Sequence, residues 1–139
     1  MKRTVFILSF FLSAILANVQ SLHRDNLLGI HPMEVKLNAG VTLDEFADFF
    51  NSDILPKYEK HWLGLKAYVV KSVRGEYPRK LAVIWVFTTE PTRHHYFNAD
   101  GTPNQLELDN FEKVKPIEEE LKKRFGTYTI SYKDDWVVE

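Results

Sequence analysis

Histidine is the residue type in this chain whose side chain offers the most chemistry. The chain contains five histidines and no cysteine, and His94 and His95 are adjacent in the stretch RHHYF. A neutral imidazole is a common metal ligand and acts as an acid or a base near neutral pH. The placement of these histidines therefore decides whether they form one site or remain separate polar residues.

The sequence lacks the motifs of several well-defined sites. It has no HExxH pair, no cysteine nucleophile, no Gly-x-Ser-x-Gly elbow and no phosphate-binding loop. If residues 93–97 are extended, His94 and His95 point to opposite faces and cannot bind the same metal ion. Asp134 and Asp135 also diverge on a predicted strand, which favours polar strand-end residues over a carboxylate pair. We therefore predict no protein-bound metal and no cofactor.

The segment 96–107, YFNADGTPNQLE, matches part of a calcium-binding loop. Its first position, however, is Tyr96, which offers no carboxylate, and no helix is predicted before it. A reverse turn at residues 98–101, with a positive φ at Gly101, explains the pattern better. We interpret the segment as a turn.

The N-terminal segment has the organisation of a secretory signal peptide. Lys2 and Arg3 precede the uncharged apolar run TVFILSFFLSAILA, which is shorter than the roughly 20 residues of a membrane-spanning helix. Cleavage after Ala17 and cleavage after Ser21 both fit, and an uncleaved membrane anchor is the alternative. We expect a signal peptide over 1–21 and a single α+β domain over 22–139, secreted or periplasmic and free of the membrane after signal removal.

The charge balance argues against nucleic acid as a partner. Lys and Arg number 18 against 19 Asp and Glu, so the formal net charge is −1, and basic residues are not concentrated in one patch. The mixed-charge stretch EEELKKR at 118–124 is typical of a solvated helix face. We expect no nucleic-acid binding.

Periodicity predicts four strands and two helices. The predicted strands are 30–38, 65–75, 80–89 and 127–138. The predicted helices are 42–62, which Pro56 should kink or divide into the pieces 42–51 and 53–62, and 105–125, with Pro116 as a potential break. Thr42 and Glu45 form a capping box at the start of the first helix. Gly126 ends the second helix, whose inward residues are expected to be Leu108, Phe111, Val114, Leu121 and Phe125.

The element order strand, helix, strand, strand, helix, strand is that of a ferredoxin-like βαββαβ fold. Such a fold has an antiparallel four-stranded sheet with two helices on one face. Through this order, the capped-helix stretch IHPMEVKLNAGVTLDEFADFF and the strand DDWVV, the chain resembles the dimeric α/β-barrel group of ferredoxin-like proteins. That group includes antibiotic-biosynthesis-type monooxygenases, haem-degrading monooxygenases and stress-responsive barrel proteins. The resemblance implies a homodimer and makes haem a candidate cofactor.

The third strand supports the homodimer independently. Leu81, Val83, Trp85 and Phe87 can face the helices, while Ala82, Ile84 and Val86 make a second apolar face that Tyr68 and Val70 extend. An exposed apolar patch usually marks an interface. Glu34, Lys36, Thr129 and Ser131 share that face and weaken the inference, so a monomer is the alternative.

The predicted topology brings distant residues to one edge of the sheet. The starts of strands one and two and the ends of strands three and four carry the candidate ligand-binding residues His31, His61, Trp62, His94, His95, Tyr96 and Trp136. A ligand pocket is typically an apolar cleft with a few convergent polar groups. We expect His31 to face the pocket together with one of His94 and His95.

Two functions follow from these expectations. One is an exported small-molecule-binding or interaction protein of the dimeric α/β-barrel type, with a small apolar or aromatic ligand. The alternative, implied by the resemblance alone, is a cofactor-independent or haem-degrading monooxygenase that uses His31, His94 or His95. One fold hosts many activities, so the element order does not choose between them.

Overall fold

The structure is a computed structural model that describes residues 21–75 and 80–139. The predicted signal peptide, apart from Ser21, lies outside the described residues, as does most of the predicted turn at 75–79. Within the described part of the chain, no helix is long and apolar enough to cross a membrane.

The described residues form one antiparallel sheet. Its strands are β1 (Leu27–Leu37), β2 (Leu65–Lys71), β3 (Leu81–Phe87), β4 (Gly126–Ile130) and β5 (Asp135–Val137). The strand order is β2-β3-β1-β4, β5 also pairs with β1, and every neighbouring pair is antiparallel. The prediction of an α+β fold with an antiparallel sheet is confirmed. The starts of β1 and β2 and the end of β3 consequently lie at the same edge.

The helices between the strands are α1 (Leu43–Phe49), α2 (Leu55–His61), α3 (Glu90–His94) and α4 (Gln105–Arg124), and a π-helical turn (Phe50–Ile54) joins α1 to α2. The predicted break at Pro56 is therefore absorbed by this wider turn, in which the Leu55 amide donates to the Phe50 carbonyl. Pro56 lies in the first turn of α2, where a proline ring fits. The chain keeps its helical direction through the π-helical turn.

Local signals fix both ends of the long helical segments. The predicted capping box is confirmed, because the Thr42 amide donates to Glu45 Oε2 at 2.8 Å and the Glu45 amide donates to Thr42 Oγ1 at 3.2 Å. α4 continues through Pro116, so the potential break there does not occur. Gly126 follows α4 with a φ of +141°, and a Cβ there would overlap the Lys36 carbonyl oxygen, so only glycine fits.

The core lies between the helices and one face of the sheet. The predicted alternation in β1 is confirmed, since His31 and Met33 are buried while Glu34 and Lys36 are exposed. The largest fully buried side chains are Phe46, Phe50, Met33, Ile54, Leu121, Val83 and Val114.

The inward face of α4 departs from the prediction in its first half. Val114 and Leu121 are buried as expected, but Leu108 and Phe111 are 47% and 39% exposed. Phe111 faces a cavity instead of a packed neighbour, which explains its exposure. The prediction that Leu108 points inward was wrong, whereas Phe111 lines the cavity instead of the packed core.

The last strand is also not the single strand predicted over 127–138. β4 and β5 are separated by residues 131–134, here called the 131–134 loop. The strand is interrupted because of Pro32 on the neighbouring strand β1. The Pro32 carbonyl accepts from the Ser131 amide at 3.0 Å, but a proline has no N–H to donate a second hydrogen bond to Ser131. Pairing resumes at Gly29 and Asp135. Tyr132 and Lys133 are carried on this loop.

Candidate functional site

A cavity of about 580 Å³ opens on the helix-facing side of the sheet. Its lining comes from β1, α2, β2, β3, α3, α4, the 131–134 loop and β5. Seven aromatic side chains form its walls: Tyr58, Trp62, Trp85, Phe87, Phe97, Phe111 and Tyr132. His31 and the charged residues Arg93, Asp100, Glu107, Lys133 and Asp135 also line it. Its volume is in the range of small-molecule sites, which is roughly 300–1,000 Å³.

The floor of the cavity is a row of residues across the sheet. Gly29 pairs with Trp85 on β3 and with Asp135 on β5. The His31 imidazole leans over Gly29, and a Cβ at position 29 would overlap His31 Nε2. The missing side chain of Gly29 therefore provides the space for the imidazole beside Asp135.

His31 is the one buried histidine of the cavity lining, with 3% of its surface exposed. Its Nδ1 accepts a long hydrogen bond from the Lys133 amide at 3.4 Å, and its ring centroid lies 4.9 Å from that of Tyr132. Burial lowers the pKa of His31, Asp135 opposes this effect and Arg93 reinforces it. The neutral imidazole then carries its proton on Nε2, 3.9 Å from Asp135 Oδ1.

Arg93 neutralises Asp135 at the same side of the cavity. Arg93 Nε lies 3.3 Å from Asp135 Oδ2, one terminal nitrogen donates to the Asn98 carbonyl at 3.0 Å, and the guanidinium lies 5.2 Å from the Phe97 ring centroid. The Arg93 side chain is only 16% exposed. The pair is therefore a partly buried and well-supported ion pair, and His31 adjoins it.

The segment that carries Arg93 is helical, so the prediction of an extended 93–97 segment was wrong. Thr89 caps α3 by accepting from the Thr92 amide at 3.2 Å, and a proline occupies its first turn. The helical period turns Arg93 towards Asp135 and leaves both His94 and His95 exposed. The expectation that strand alternation sends one of these two histidines inward therefore fails with the extended conformation.

The candidate residues predicted from the sequence fall into two groups, those that line the cavity and those that do not. His31 and Trp62 line the cavity, whereas His61, His94, His95, Tyr96 and Trp136 are not part of its lining. Tyr96 is buried behind the wall, with its ring 6.4 Å from Trp62 and its hydroxyl donating to the Leu63 carbonyl at 3.2 Å. Trp136 is 61% exposed. Among the described residues, no group of three or more His, Asp or Glu side chains is placed to hold a metal ion.

His61 and the turn after α3 have structural explanations. His61 ends α2, and its carbonyl accepts from the Asn110 side chain at 2.8 Å. The predicted turn at 98–101 is confirmed, because Gly101 has a φ of +85° and its amide donates to the Asn98 carbonyl at 2.9 Å.

Several cavity residues escaped the sequence analysis. Glu107 and Phe111 come from α4, while Tyr132 lies in the break of the last strand and Asp135 directly follows it. The capping signal at Thr89 followed by Pro91 would have indicated a helix in place of an extended segment. No comparable local signal exists for Tyr132 or Asp135, because their placement depends on Pro32 in a different strand.

Two residues of the cavity lining, Glu107 and Tyr132, have raised pKa values. Burial raises the pKa of Glu107. Tyr132 lines the cavity, and 68% of the residue surface is exposed. Burial together with Glu107 and Glu118 raises the pKa of the Tyr132 phenol to about 12. Tyr132 is thus a neutral hydrogen-bonding group at physiological pH.

The partly buried carboxyl group of Glu118 holds the aromatic wall in place. The hydroxyl groups of Tyr58 and Tyr128 both donate to Glu118 Oε1, at 2.9 and 2.8 Å. Burial raises the pKa of Glu118, and these two hydrogen bonds oppose the rise. The Tyr58 ring, fixed in this way, stacks on Trp62 with 4.8 Å between centroids. The wall is therefore preformed.

Comparison with protein-family models, curated proteins and solved structures finds no match to this chain. The chemistry of the site is accordingly argued from its own residues. The aromatic walls can pack against an apolar ring, and the polar groups gather on the side of β1, β5 and the 131–134 loop. The arrangement can enclose and orient a small molecule.

Proposed function

We propose that the protein binds a small aromatic molecule in this cavity. The observation that carries the proposal is a preformed cavity of about 580 Å³ with seven aromatic side chains in its lining. Ligand sites combine such apolar walls with a few placed polar groups, which here are His31, Asp135 and Arg93. An aromatic ring between these walls would lose contact with water on both of its faces.

The test uses a neutral aromatic probe and two matched variants. Naphthylethanol should bind to the purified protein in a calorimetric titration, and Phe111→Ala should weaken its binding by roughly tenfold, since a cavity-facing ring is lost. Leu108→Ala is the control, because Leu108 is exposed on the same helix outside the cavity lining. Absence of binding at millimolar concentration, or equal weakening by both variants, would overturn the proposal.

We also infer a ferredoxin-like fold that forms a dimeric α/β barrel. The order β2-β3-β1-β4 with antiparallel neighbours supports the βαββαβ arrangement. The outer face of the sheet supports a face-to-face homodimer, since Tyr68, Ile84 and Ile30 form an apolar row across three strands. Ile30 is 48% exposed and Tyr68 is 41% exposed. The signal-peptide organisation of residues 1–21 supports export to a secreted or periplasmic location.

A cofactor-independent enzyme is the second candidate function. It is favoured by the buried His31 imidazole next to the Asp135 carboxylate in the cavity, because perturbed titratable groups in a cleft are common in active sites. A ligand found by the titration above should then be turned over by the protein and not by His31→Gln.

The residues of the cavity do not fit haem. Of the described histidines, only His31 lines the cavity, its Nδ1 accepts from the Lys133 amide, and its Nε2 faces Asp135. Nδ1 is therefore occupied, and iron at Nε2 would have to displace the imidazole from Asp135. His94 and His95 are exposed outside the lining, so they offer no replacement.

A further inference from the structure

We propose that the ligand of the cavity is a hydrophobic organic ammonium ion whose charged nitrogen lies against Glu107. The inference rests on the proposed function, and it adds the charge and chemical class of the ligand. Three features carry it: the charge pairing within the cavity, the unused capping position of Glu107, and the aromatic walls beside it.

The carboxylates of the cavity differ in how they are partnered. Asp135 is paired with Arg93, and Asp100 accepts from the amide and the hydroxyl of Thr102 at 3.0 and 2.6 Å. Within the described part of the chain, the Glu107 carboxylate has neither a hydrogen-bond donor nor an ion-pair partner, although it is half-buried in the cavity wall. A half-buried carboxylate that the protein leaves unpaired is available to a cationic ligand.

Glu107 occupies a helix position at which a glutamate often accepts a hydrogen bond from the capping residue, and here it does not. Glu107 is the third residue of α4, as Glu45 is the third residue of α1. Glu45 closes its capping box with a bond from the Thr42 amide at 2.8 Å. The corresponding amide of α4, that of Asn104, instead donates to the Tyr96 carbonyl at 3.0 Å. The Glu107 carboxylate is therefore released from the usual capping role and lies in the cavity wall.

Aromatic residues line the same cavity as this carboxylate. Phe111 lies one helical turn after Glu107 and also lines the cavity, and the Tyr132 phenol is close enough for Glu107 to raise its pKa. Aromatic faces attract organic ammonium ions. Aromatic walls with one unpaired carboxylate are the chemistry that recognises an alkylammonium group.

An anionic ligand fits the same cavity less well. Its charge would lie in the same cavity as Glu107, and Arg93 is already engaged by Asp135 and by the Asn98 carbonyl. Lys133 also lines the cavity, but the charged residues of the lining, Arg93 and Lys133 against Asp100, Glu107 and Asp135, leave one net negative charge. The cavity therefore favours a cation over an anion.

The test compares three probes that share one naphthylethyl group and end in an ammonium, a hydroxyl or a carboxylate. Calorimetric titration of the purified protein near neutral pH should give a dissociation constant for the ammonium about tenfold lower than that for the alcohol, and the weakest binding for the carboxylate. Glu107→Gln should remove the advantage of the ammonium over the alcohol. Glu119→Gln is the control, because Glu119 is exposed on the same helix.

The outcomes separate this inference from the proposed function. If the alcohol binds as tightly as the ammonium, if the carboxylate binds most tightly, or if Glu107→Gln and Glu119→Gln act alike, the assignment of an ammonium ligand is wrong while small-molecule binding stands. If none of the three probes binds at millimolar concentration, both proposals are overturned. An unchanged thermal unfolding of Glu107→Gln confirms that the variant is folded.

Discussion

Replacing Gly29 by alanine should displace the His31 imidazole and destabilise the protein. In a variant that lacks the His31 side chain, the same replacement should stabilise the protein. A Cβ at position 29 would overlap His31 Nε2 and lie 2.9 Å from its Cε1 and 3.0 Å from Asp135 Oδ1. Carbon atoms pack best at about 3.5–4.0 Å, so the imidazole must move by roughly an ångström. The backbone is no obstacle, because Gly29 is not among the glycines with a positive φ.

The expected magnitudes follow from what the moved imidazole loses. Losing the bond from the Lys133 amide costs about 0.5–1.5 kcal/mol, and an off-rotamer side chain costs about 0.5–1.5 kcal/mol more. An alanine in a strand interior stabilises by roughly 0.5–1 kcal/mol relative to glycine. Gly29→Ala should therefore lower the free energy of unfolding by about 1–2 kcal/mol. In the His31→Ala background the same change should raise it by roughly 0.5–1 kcal/mol.

Equilibrium urea unfolding of the four proteins, followed by tryptophan fluorescence, measures this double-mutant cycle. The expected coupling between Gly29 and His31 is about 1.5–3 kcal/mol. A coupling below about 0.5 kcal/mol would show that the imidazole does not lie over Gly29, and the described geometry of the cavity floor would be refuted.

Three further predictions concern pH, assembly and export. Because burial lowers the pKa of His31 below its usual 6.5, the unfolded chain binds more protons just below that pH. Stability should therefore fall with falling pH by at most about 1.4 kcal/mol per pH unit relative to His31→Gln, and a constant difference in urea unfolding would contradict this. Ile84→Glu should shift the protein from dimer towards monomer in light scattering, because an unpaired charge on the outer face opposes association; a monomeric parent protein would contradict the dimer. Mass spectrometry should find a chain that begins at residue 18 or 22, whereas intact Met1 in the cytosol would contradict export.

Much of the fold was predictable because its signals are local. The alternation of His31 and Met33 with Glu34 and Lys36 predicted the buried face of β1, and the spacing of Thr42 and Glu45 predicted the helix start. Both patterns depend on the period of a single element, which is two residues in a strand and 3.6 in a helix. Such signals need no knowledge of what the element packs against.

The departures arise where one part of the chain acts on another. The interruption of the last strand depends on Pro32, whose missing N–H matters only because β1 pairs with that strand. The inward direction of Arg93 follows from a short helix in a segment whose length and composition also suit an extended chain. The exposure of Phe111 depends on an empty volume, and no periodicity in a single helix reveals whether the opposite surface is filled.

The cavity and the core lie side by side in the layer between α4 and the sheet. The second half of α4 packs against the sheet through buried Val114 and Leu121, while its first half presents Glu107 and Phe111 to the cavity. The sheet matches this division, because Gly29 removes a side chain from the floor at the position where β1 is flanked by Trp85 and Asp135. A larger residue at position 29 would fill the space that the imidazole uses. The His31 imidazole can therefore lie beside Asp135 because position 29 of β1 is a glycine and not a side chain of the core.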